Sequence, residues 1–475
     1  MNLGQRFVRS YIYVGTGQLI TNVANLAMQI AIARLLGPAE FGLYALCFAI
    51  DQVIGIVGAF SLAFALIQSE EELEQRDYDT ALILCALQGL AGFVLAAIVG
   101  PILAAERGAD AGWILLALAV ARFLRLVTQA PQAKLERSLR YARVTAILTF
   151  VAVVPNAIAV GLAWQGFGAW SLALRDVMVT VLLFAMILYF SDYRFKNQWS
   201  AESSARLMAF GRKLFASRGI ETLIERIDSV AVGLIFGNQQ AGIYHTARFV
   251  SEAGFVATRP VERISLNLYA RLQSDPQRLA RAWDLTNYFL LRAMLAGAIA
   301  LLVFPEPIVA ALYGEEWAEV ATLLPWLAVY AALFPIFHNV KNLLYGLGEV
   351  HAMVRIQLVQ LGTFVAAVGA ATWLDDLGAM AAGLALTTTW TLGLAWKQSA
   401  KYVRGPAWKR LVGPPLLFGA TAIALSTAFD QGWLSALPPL ALPLLASAVF
   451  VAGVFAVEGK TPLREFRYLR DHAIG

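Results

Sequence analysis

Fourteen apolar stretches, nearly all long enough to cross a bilayer, follow one another along this chain of 475 residues with short loops between them. A helix needs about 20 apolar residues to span the hydrocarbon core of a membrane. The predicted spans are 11–33, 43–67, 81–103, 113–130, 144–164, 169–190, 213–236, 243–262, 285–304, 320–345, 352–374, 378–396, 413–429 and 434–457. The pattern predicts an all-α membrane protein with about 14 transmembrane helices.

Positive charge is concentrated on alternate loops. Twenty-eight Lys and Arg residues lie in the two terminal segments and in every second loop with its adjoining helix ends, whereas the intervening loops together contain one, Arg107. Basic residues are enriched on the cytoplasmic side of a membrane. We therefore expect a multi-pass protein of the bacterial inner (plasma) membrane with both termini in the cytoplasm.

The composition supports this class. A mean hydropathy of +0.64 and 59% hydrophobic residues exclude an ordinary soluble protein. The expected partner of the basic loops is the lipid bilayer rather than nucleic acid, because these loops would meet anionic headgroups. Cys47 and Cys85 fall within predicted helices and are expected to be buried free thiols.

The chain also contains an internal repeat. Gly37, Gly42 and Tyr44 recur as Gly237, Gly242 and Tyr244, at an offset of 200, and Gly168-Ala169 recurs as Gly378-Ala379 at an offset of 210. A glycine-rich tight turn alone could explain the first match. Since the spacing, the helix index and the side of the membrane coincide, we predict a duplication, an arrangement found in transporters.

The repeat predicts two pseudo-symmetric six-helix lobes of the same orientation. The predicted parts are an N-terminal lobe (1–190, helices 1–6), a cytoplasmic connection (191–212), a C-terminal lobe (213–396, helices 7–12), and helices 13 and 14 with a cytoplasmic tail (397–475).

The segment from Ala33 to Tyr44, ARLLGPAEFGLY, resembles the opening signature of the Wzx-type polysaccharide exporters in the MATE-like (MOP) flippase superfamily. Further segments fit the same family in order over about residues 10–400: 65–68, 135–141, 166–172, 226–228 and 313–317. The subgroup most similar in pattern is that of the colanic-acid, succinoglycan and teichuronic-acid exporters.

The resemblance implies a MATE-like fold and a flippase function. Its implied substrate is an undecaprenyl-diphosphate-linked oligosaccharide repeat unit, moved from the cytoplasmic to the outer leaflet by alternating access for exopolysaccharide or O-antigen assembly. A polysaccharide polymerase and chain-length or export proteins are the implied protein partners.

Charged residues inside the predicted helices indicate a polar interior. A charge at mid-bilayer costs about 2.5–3.5 kcal/mol even on insertion scales, so such residues face a partner or a wet cavity. Guanidinium groups bind phosphate bidentately and remain charged. The arginines predicted to bind the substrate diphosphate are Arg122, Arg125, Arg175, Arg218 and Arg248. For Arg125 and Arg292, snorkelling to the membrane surface is the alternative.

Helix seven is the richest in charge. Arg218, Glu221, Glu225 and Asp228 share one helical face, whereas Arg226 points away. We predict coupling or gating by these residues, a carboxylate taking a proton from outside and releasing it inside. The alternative is that they form ion pairs that only hold helices together. The other residues in the predicted coupling and gating set are Asp51, Asp176 and Glu252, the last in an i, i+4 pair with Arg248.

The first helix carries a continuous polar face. Gln18, Asn22, Asn25 and Gln29 recur at spacings of 4, 3 and 4 residues. These side chains are predicted to line the cavity and bind sugar hydroxyls. Interhelical hydrogen bonds are the alternative role.

Several chemistries are absent from the sequence. It contains no P-loop motif, no Cys/His cluster and no nucleophile motif, so we predict no cofactor, no metal and no enzymatic activity. Two alternatives to the flippase stay open: a MATE-type ion-coupled small-molecule antiporter, and a membrane enzyme of the same pathway such as a polymerase or ligase.

Overall fold

The computed structural model describes residues 3–58, 60, 62–68, 72–137, 141–403, 408–434 and 437–465. All regular secondary structure in these ranges is helical, which confirms the all-α fold class. Sixteen α-helices occur in them: α1 Leu3–Ile54, α2 Leu62–Gln68, α3 Gln75–Arg107, α4 Ala109–Arg137, α5 Tyr141–Trp164, α6 Trp170–Phe190, α7 Ala201–Ile235, α8 Asn238–Glu252, α9 Arg259–Leu272, α10 Pro276–Val303, α11 Pro305–Leu312, α12 Glu319–Gly346, α13 Val350–Leu374, α14 Leu377–Ser399, α15 Trp408–Asp430 and α16 Ala441–Glu458.

Ten stretches of the described residues are long and apolar enough to cross a membrane. The predicted spans 11–33 and 43–67 overlap one such stretch, Ala24–Gly58, which the non-helical Gly37 breaks, so that α1 consists of two helices meeting at a kink. Trp164 ends α5 and Trp373 lies next to the end of α13, and they are 80% and 86% exposed. Such exposure is typical of tryptophan at a membrane–water interface.

The residues pack into two compact units, Met1–Gly242 and Ile243–Gly475. Helix α7 therefore packs with the first unit, whereas the predicted lobe boundary falls before it; the lobe assignment itself stays a prediction. Cys47 and Cys85 are buried and free in the first unit, as expected from their places in apolar helices.

Both members of the repeat show the same backbone features. Gly37 and Gly237 adopt positive φ angles, 69° and 94°, which glycine tolerates without strain. An α-helix follows each glycine. This helix gives way to a short 3₁₀ segment, Gly55–Gly58 in the first unit and Ala253–Ala257 in the second. The repeat therefore extends to interrupted helices, which in transporters place backbone groups at binding sites.

A reciprocal contact joins the two repeat segments within the first unit. A Cβ atom added to Gly42 would lie 1.7 Å from the carbonyl oxygen of Asn238, and one added to Gly242 would lie 2.0 Å from that of Pro38. The two contacts are related by the same offset of 200 residues. The two backbones are in direct contact here, which leaves no room for a side chain at Gly42 or Gly242.

Acidic side chains cap helices at both copies of the second repeat match. In the first unit the Glu40 carboxylate accepts a hydrogen bond from the Ala169 amide at 2.9 Å, just before α6. In the second unit Asp376 accepts one from the Gly378 amide at 2.8 Å, at the start of α14. Carboxylates are favourable at the positive end of a helix.

The connection after α6 is fixed to the first unit by Asp79, a fully buried residue near the start of α3. Its carboxylate accepts hydrogen bonds from the Tyr193 hydroxyl at 2.6 Å and from the amides of Lys196 and Gln198 at 2.9 and 3.1 Å. Burial and this hydrogen bond raise the pKa of Tyr193 well above its ordinary value, so the phenol stays a donor. The sequence pattern did not indicate these contacts of Asp79.

Arg292 is not a snorkelling side chain. It pairs with Glu458 of α16, its Nε lying 3.1 Å from a carboxylate oxygen, and Tyr288 donates to the same carboxylate. Within the second unit this pair ties α16 to α10, and an apolar cluster that includes Phe304 and Phe450 continues the contact. For Arg292 the ion pair with Glu458 takes the place of extension of the guanidinium to the membrane surface.

Candidate functional site

A cavity of about 340 Å³ lies within the first unit, where α1 gives way to its 3₁₀ segment. Helices α4, α6 and α7 complete the wall. Its charged lining residues are Asp51, Arg122, Arg125 and Asp176, four of the positions that the sequence analysis singled out. Its other lining residues are Phe48, Gln52, Gly55, Leu118, Ala121, Leu126, Gln129 and Thr222.

Arg122 and Asp51 form an ion pair in this wall. Arg122 Nη1 lies 2.9 Å from Asp51 Oδ1, and the two side chains are 12% and 5% exposed. Arg122 also donates to the backbone carbonyl of Asp51 and, at 3.0 Å, to that of Gly92 on α3. The Asp51 carbonyl is available because the α-helical hydrogen-bonding pattern ends at Ile54. Arg122 therefore bridges α1, α3 and α4.

Arg125 stands one turn further along α4 and differs in its surroundings. It is exposed in this structure and forms no ion pair with any residue that the structure describes. Because Arg122 already donates to two backbone carbonyls and pairs with the Asp51 carboxylate, Arg125 is the better placed of the two to bind an anion in the cavity. The sequence separated the two in the opposite sense, since snorkelling to the membrane surface was the alternative for Arg125.

Arg175, Asp176 and Tyr44 form a triad in which each side chain is hydrogen-bonded to the other two. The Tyr44 hydroxyl donates to Asp176 Oδ2 at 2.7 Å and accepts from Arg175 at 2.8 Å. Arg175 also donates to Asp176 Oδ1 at 2.9 Å. Tyr44 entered the sequence analysis only as a marker of the repeat; its buried hydroxyl, 132 residues from Asp176, is what holds this pair.

The charged groups at the cavity carry a net positive charge. Arg122, Arg125, Asp51 and Asp176 line it, and Arg175 pairs with Asp176 without lining it, so these five groups have three positive charges and two negative ones. The surplus charge is that of Arg125. A cavity with one unbalanced guanidinium suits a negatively charged ligand group such as a phosphate.

The second unit contains a similar hydrogen-bonded triad. Arg248 Nε lies 3.0 Å from a carboxylate oxygen of Glu252, and Arg248 donates to the Tyr330 hydroxyl at 3.1 Å. Tyr330 donates in turn to Glu252 at 3.3 Å. The predicted i, i+4 pair thus forms on α8, and the aromatic partner on α12 was not predicted.

The acidic residues on α7 differ in how deeply they are buried. Asp228 is fully buried and accepts a hydrogen bond from the Ser229 amide at 2.6 Å, whereas Glu221 and Glu225 are half-buried. The guanidinium of Arg226 lies 5.8 Å from the centre of the Phe48 ring. Their coupling role stays a prediction.

The polar face of α1 is described only in part. The side chains of Gln18 and Asn22, and that of Arg218 on α7, lie outside the described residues. Gln29 is half-buried, and Asn25 accepts a hydrogen bond from Asn156 of α5 at 3.0 Å. Asn25 thus makes the interhelical hydrogen bond that was the alternative to sugar binding.

Residues 31–322 match a known family, described as polysaccharide biosynthesis protein. The chain belongs to the polysaccharide biosynthesis protein family. The matched residues include the first unit from residue 31 onwards, and therefore every residue that lines the cavity.

Named relatives of this family align over most of the chain. The succinoglycan biosynthesis transport protein ExoT of Rhizobium meliloti (strain 1021) is 28% identical over 334 residues, which cover 67% of this chain and 65% of ExoT. The lipopolysaccharide biosynthesis protein WzxC of Escherichia coli (strain K12) is 21% identical over 78% of this chain and 75% of its own. The chain therefore spans just under two thirds of ExoT, and these relatives confirm the exporter resemblance.

Solved structures share the fold. The lipid II flippase MurJ, in an inward closed conformation, superposes with a TM-score of 0.73 at 11% identity, over 94% of this chain and 99% of that one. An inward-facing multidrug resistance MATE transporter of the MOP superfamily gives 0.59 at 15% identity, over 82% and 97%. At such identities the likeness concerns the fold alone, and it confirms the MATE-like architecture.

Proposed function

We propose that this chain is a flippase that translocates an undecaprenyl-diphosphate-linked oligosaccharide repeat unit across the bacterial inner membrane. Its family supports this function, as do relatives whose names refer to the biosynthesis or transport of succinoglycan and lipopolysaccharide. The product enters exopolysaccharide or O-antigen assembly, with a polymerase and chain-length or export proteins as partners.

One observation carries the proposal: an electropositive cavity beside an interrupted membrane helix, with Arg125 as its surplus charge. A lipid diphosphate carries negative charge that must cross an apolar slab, and a guanidinium stabilises such charge. Three of the eight remaining lining residues are polar: Gln52, Gln129 and Thr222, which offer hydrogen bonds to groups attached to the phosphate.

The proposed orientation has both termini in the cytoplasm, as the loop charges indicate. Alternating access by the two predicted lobes is the proposed cycle. Proton uptake by Glu221, Glu225 or Asp228 is a proposed means of driving it. The protein carries out transport and forms no covalent intermediate.

A complementation experiment tests the function. In a bacterial strain whose own polysaccharide exporter is deleted, this chain, expressed with its cognate glycosyltransferases, is expected to restore surface polysaccharide. Without it, lipid-linked oligosaccharide should accumulate on the cytoplasmic side. If surface polysaccharide stays absent while multidrug resistance rises, the protein is a small-molecule antiporter instead.

A further inference from the structure

The Arg122–Asp51 pair bears on how the cavity releases its substrate. Both side chains line the cavity, and both are almost fully buried. A transporter must let its substrate go, so binding has to be strong enough for entry and weak enough for exit. Two unopposed guanidinium groups one turn apart would hold a diphosphate tightly, because paired charged hydrogen bonds to phosphate are strong.

We propose that Asp51 is a specificity-determining residue that competes with the substrate phosphate for Arg122 and so limits the affinity of the cavity for lipid diphosphates. This inference rests on the proposed function and deepens it. Arg125 binds the phosphate directly, whereas Arg122 is available only when the phosphate displaces the Asp51 carboxylate.

The geometry supports competition rather than mere scaffolding. Arg122 retains two backbone acceptors, the carbonyls of Asp51 and Gly92, whether or not the carboxylate is present. These contacts fix the guanidinium at the cavity wall. The carboxylate therefore adds charge balance to a group that the backbone already positions.

The other charged groups at the cavity leave Asp51 as the competitor. Asp176 is held by Arg175 and Tyr44, and Tyr44 is buried. Arg125 forms no ion pair among the described residues. Removing the Asp51 charge would thus leave two cavity arginines without a balancing acid, and a buried guanidinium without its acid attracts another anion.

Equilibrium binding to the purified full-length protein in nanodiscs tests the inference, with farnesyl diphosphate as the ligand and farnesol as its uncharged control. Asp51→Asn is nearly isosteric and is expected to bind farnesyl diphosphate about tenfold more tightly than the wild type, since Arg122 can then bind the phosphate without first losing its carboxylate partner. The gain is expected in slower dissociation. A change that only damages the fold weakens binding, so tighter binding excludes a damaged fold as the cause.

A double-mutant cycle separates competition from general electrostatics. In the Arg122→Gln background, Asp51→Asn should give no gain, because the group under competition is absent. Equal or weaker binding by Asp51→Asn, or a gain that persists in the Arg122→Gln background, would overturn the inference. If the wild type binds farnesyl diphosphate no better than farnesol, the proposed function fails as well; if only the Asp51→Asn gain is missing, the function stands.

Discussion

Arg125→Ala is expected to reduce polysaccharide export at least about tenfold at normal protein levels, because a hydrogen bond to a charged group contributes about 1.5–3 kcal/mol. Arg125 supplies the surplus charge of the cavity and forms no ion pair with any described residue. Its removal therefore takes away anion binding and leaves no acid uncompensated. Export is measured as surface polysaccharide in the complementation strain, normalised to membrane-inserted protein.

Two variants make the result specific. Arg125→Lys keeps the charge but loses the bidentate geometry, so partial export is expected. Arg76→Ala removes an exposed arginine that pairs with Glu74 outside the cavity and should leave export unchanged. Normal export by Arg125→Ala would remove this residue from the site.

Gly42→Ala is expected to prevent stable folding. The added methyl group would lie 1.7 Å from the Asn238 carbonyl oxygen, a distance that requires the backbones to separate. Overpacking typically costs about 1–3 kcal/mol, and a clash with backbone lies at the upper end or beyond. The yield of monodisperse protein in detergent and its apparent melting temperature measure the effect.

Gly161→Ala is the matched control, because a Cβ at this position in α5 meets nothing within 4 Å. Its yield should equal or exceed that of the wild type, since alanine favours helix more than glycine does. Gly242→Ala should repeat the defect of Gly42→Ala through the Pro38 carbonyl. Wild-type melting of either repeat-glycine variant would show that the segments do not meet as closely as described.

The membrane class was predictable because hydropathy and loop charge act along the chain and are readable locally. The fold beyond it was predictable through resemblance and repeat, and Gly37 and Gly237 carry the same positive φ for the same local reason. Which groups pair between helices was not predictable. Snorkelling was the alternative considered for Arg292, but Glu458 lies 166 residues away in sequence and beside it in space.

The same limit applied to the candidate site. Five arginines were predicted as phosphate ligands from their positions in apolar helices, and Arg122, Arg175 and Arg248 have acids in contact. Arg175 and Arg248 pair with acids on their own helices, whereas the Arg122–Asp51 pair depends on which helix faces meet. Asp79 was missed for a related reason: its donors come from a loop more than 110 residues later.

Translocation in proteoliposomes measures the proposed flippase activity itself. The purified protein is reconstituted with an undecaprenyl-diphosphate-linked oligosaccharide bearing a fluorescent sugar, and a membrane-impermeant reagent reports the leaflet in which the sugar lies. The wild type should make the inner-leaflet pool accessible, and Arg125→Ala should be close to protein-free vesicles. An inner-leaflet pool that stays protected with correctly inserted wild-type protein, under an imposed pH gradient and without one, would contradict the account.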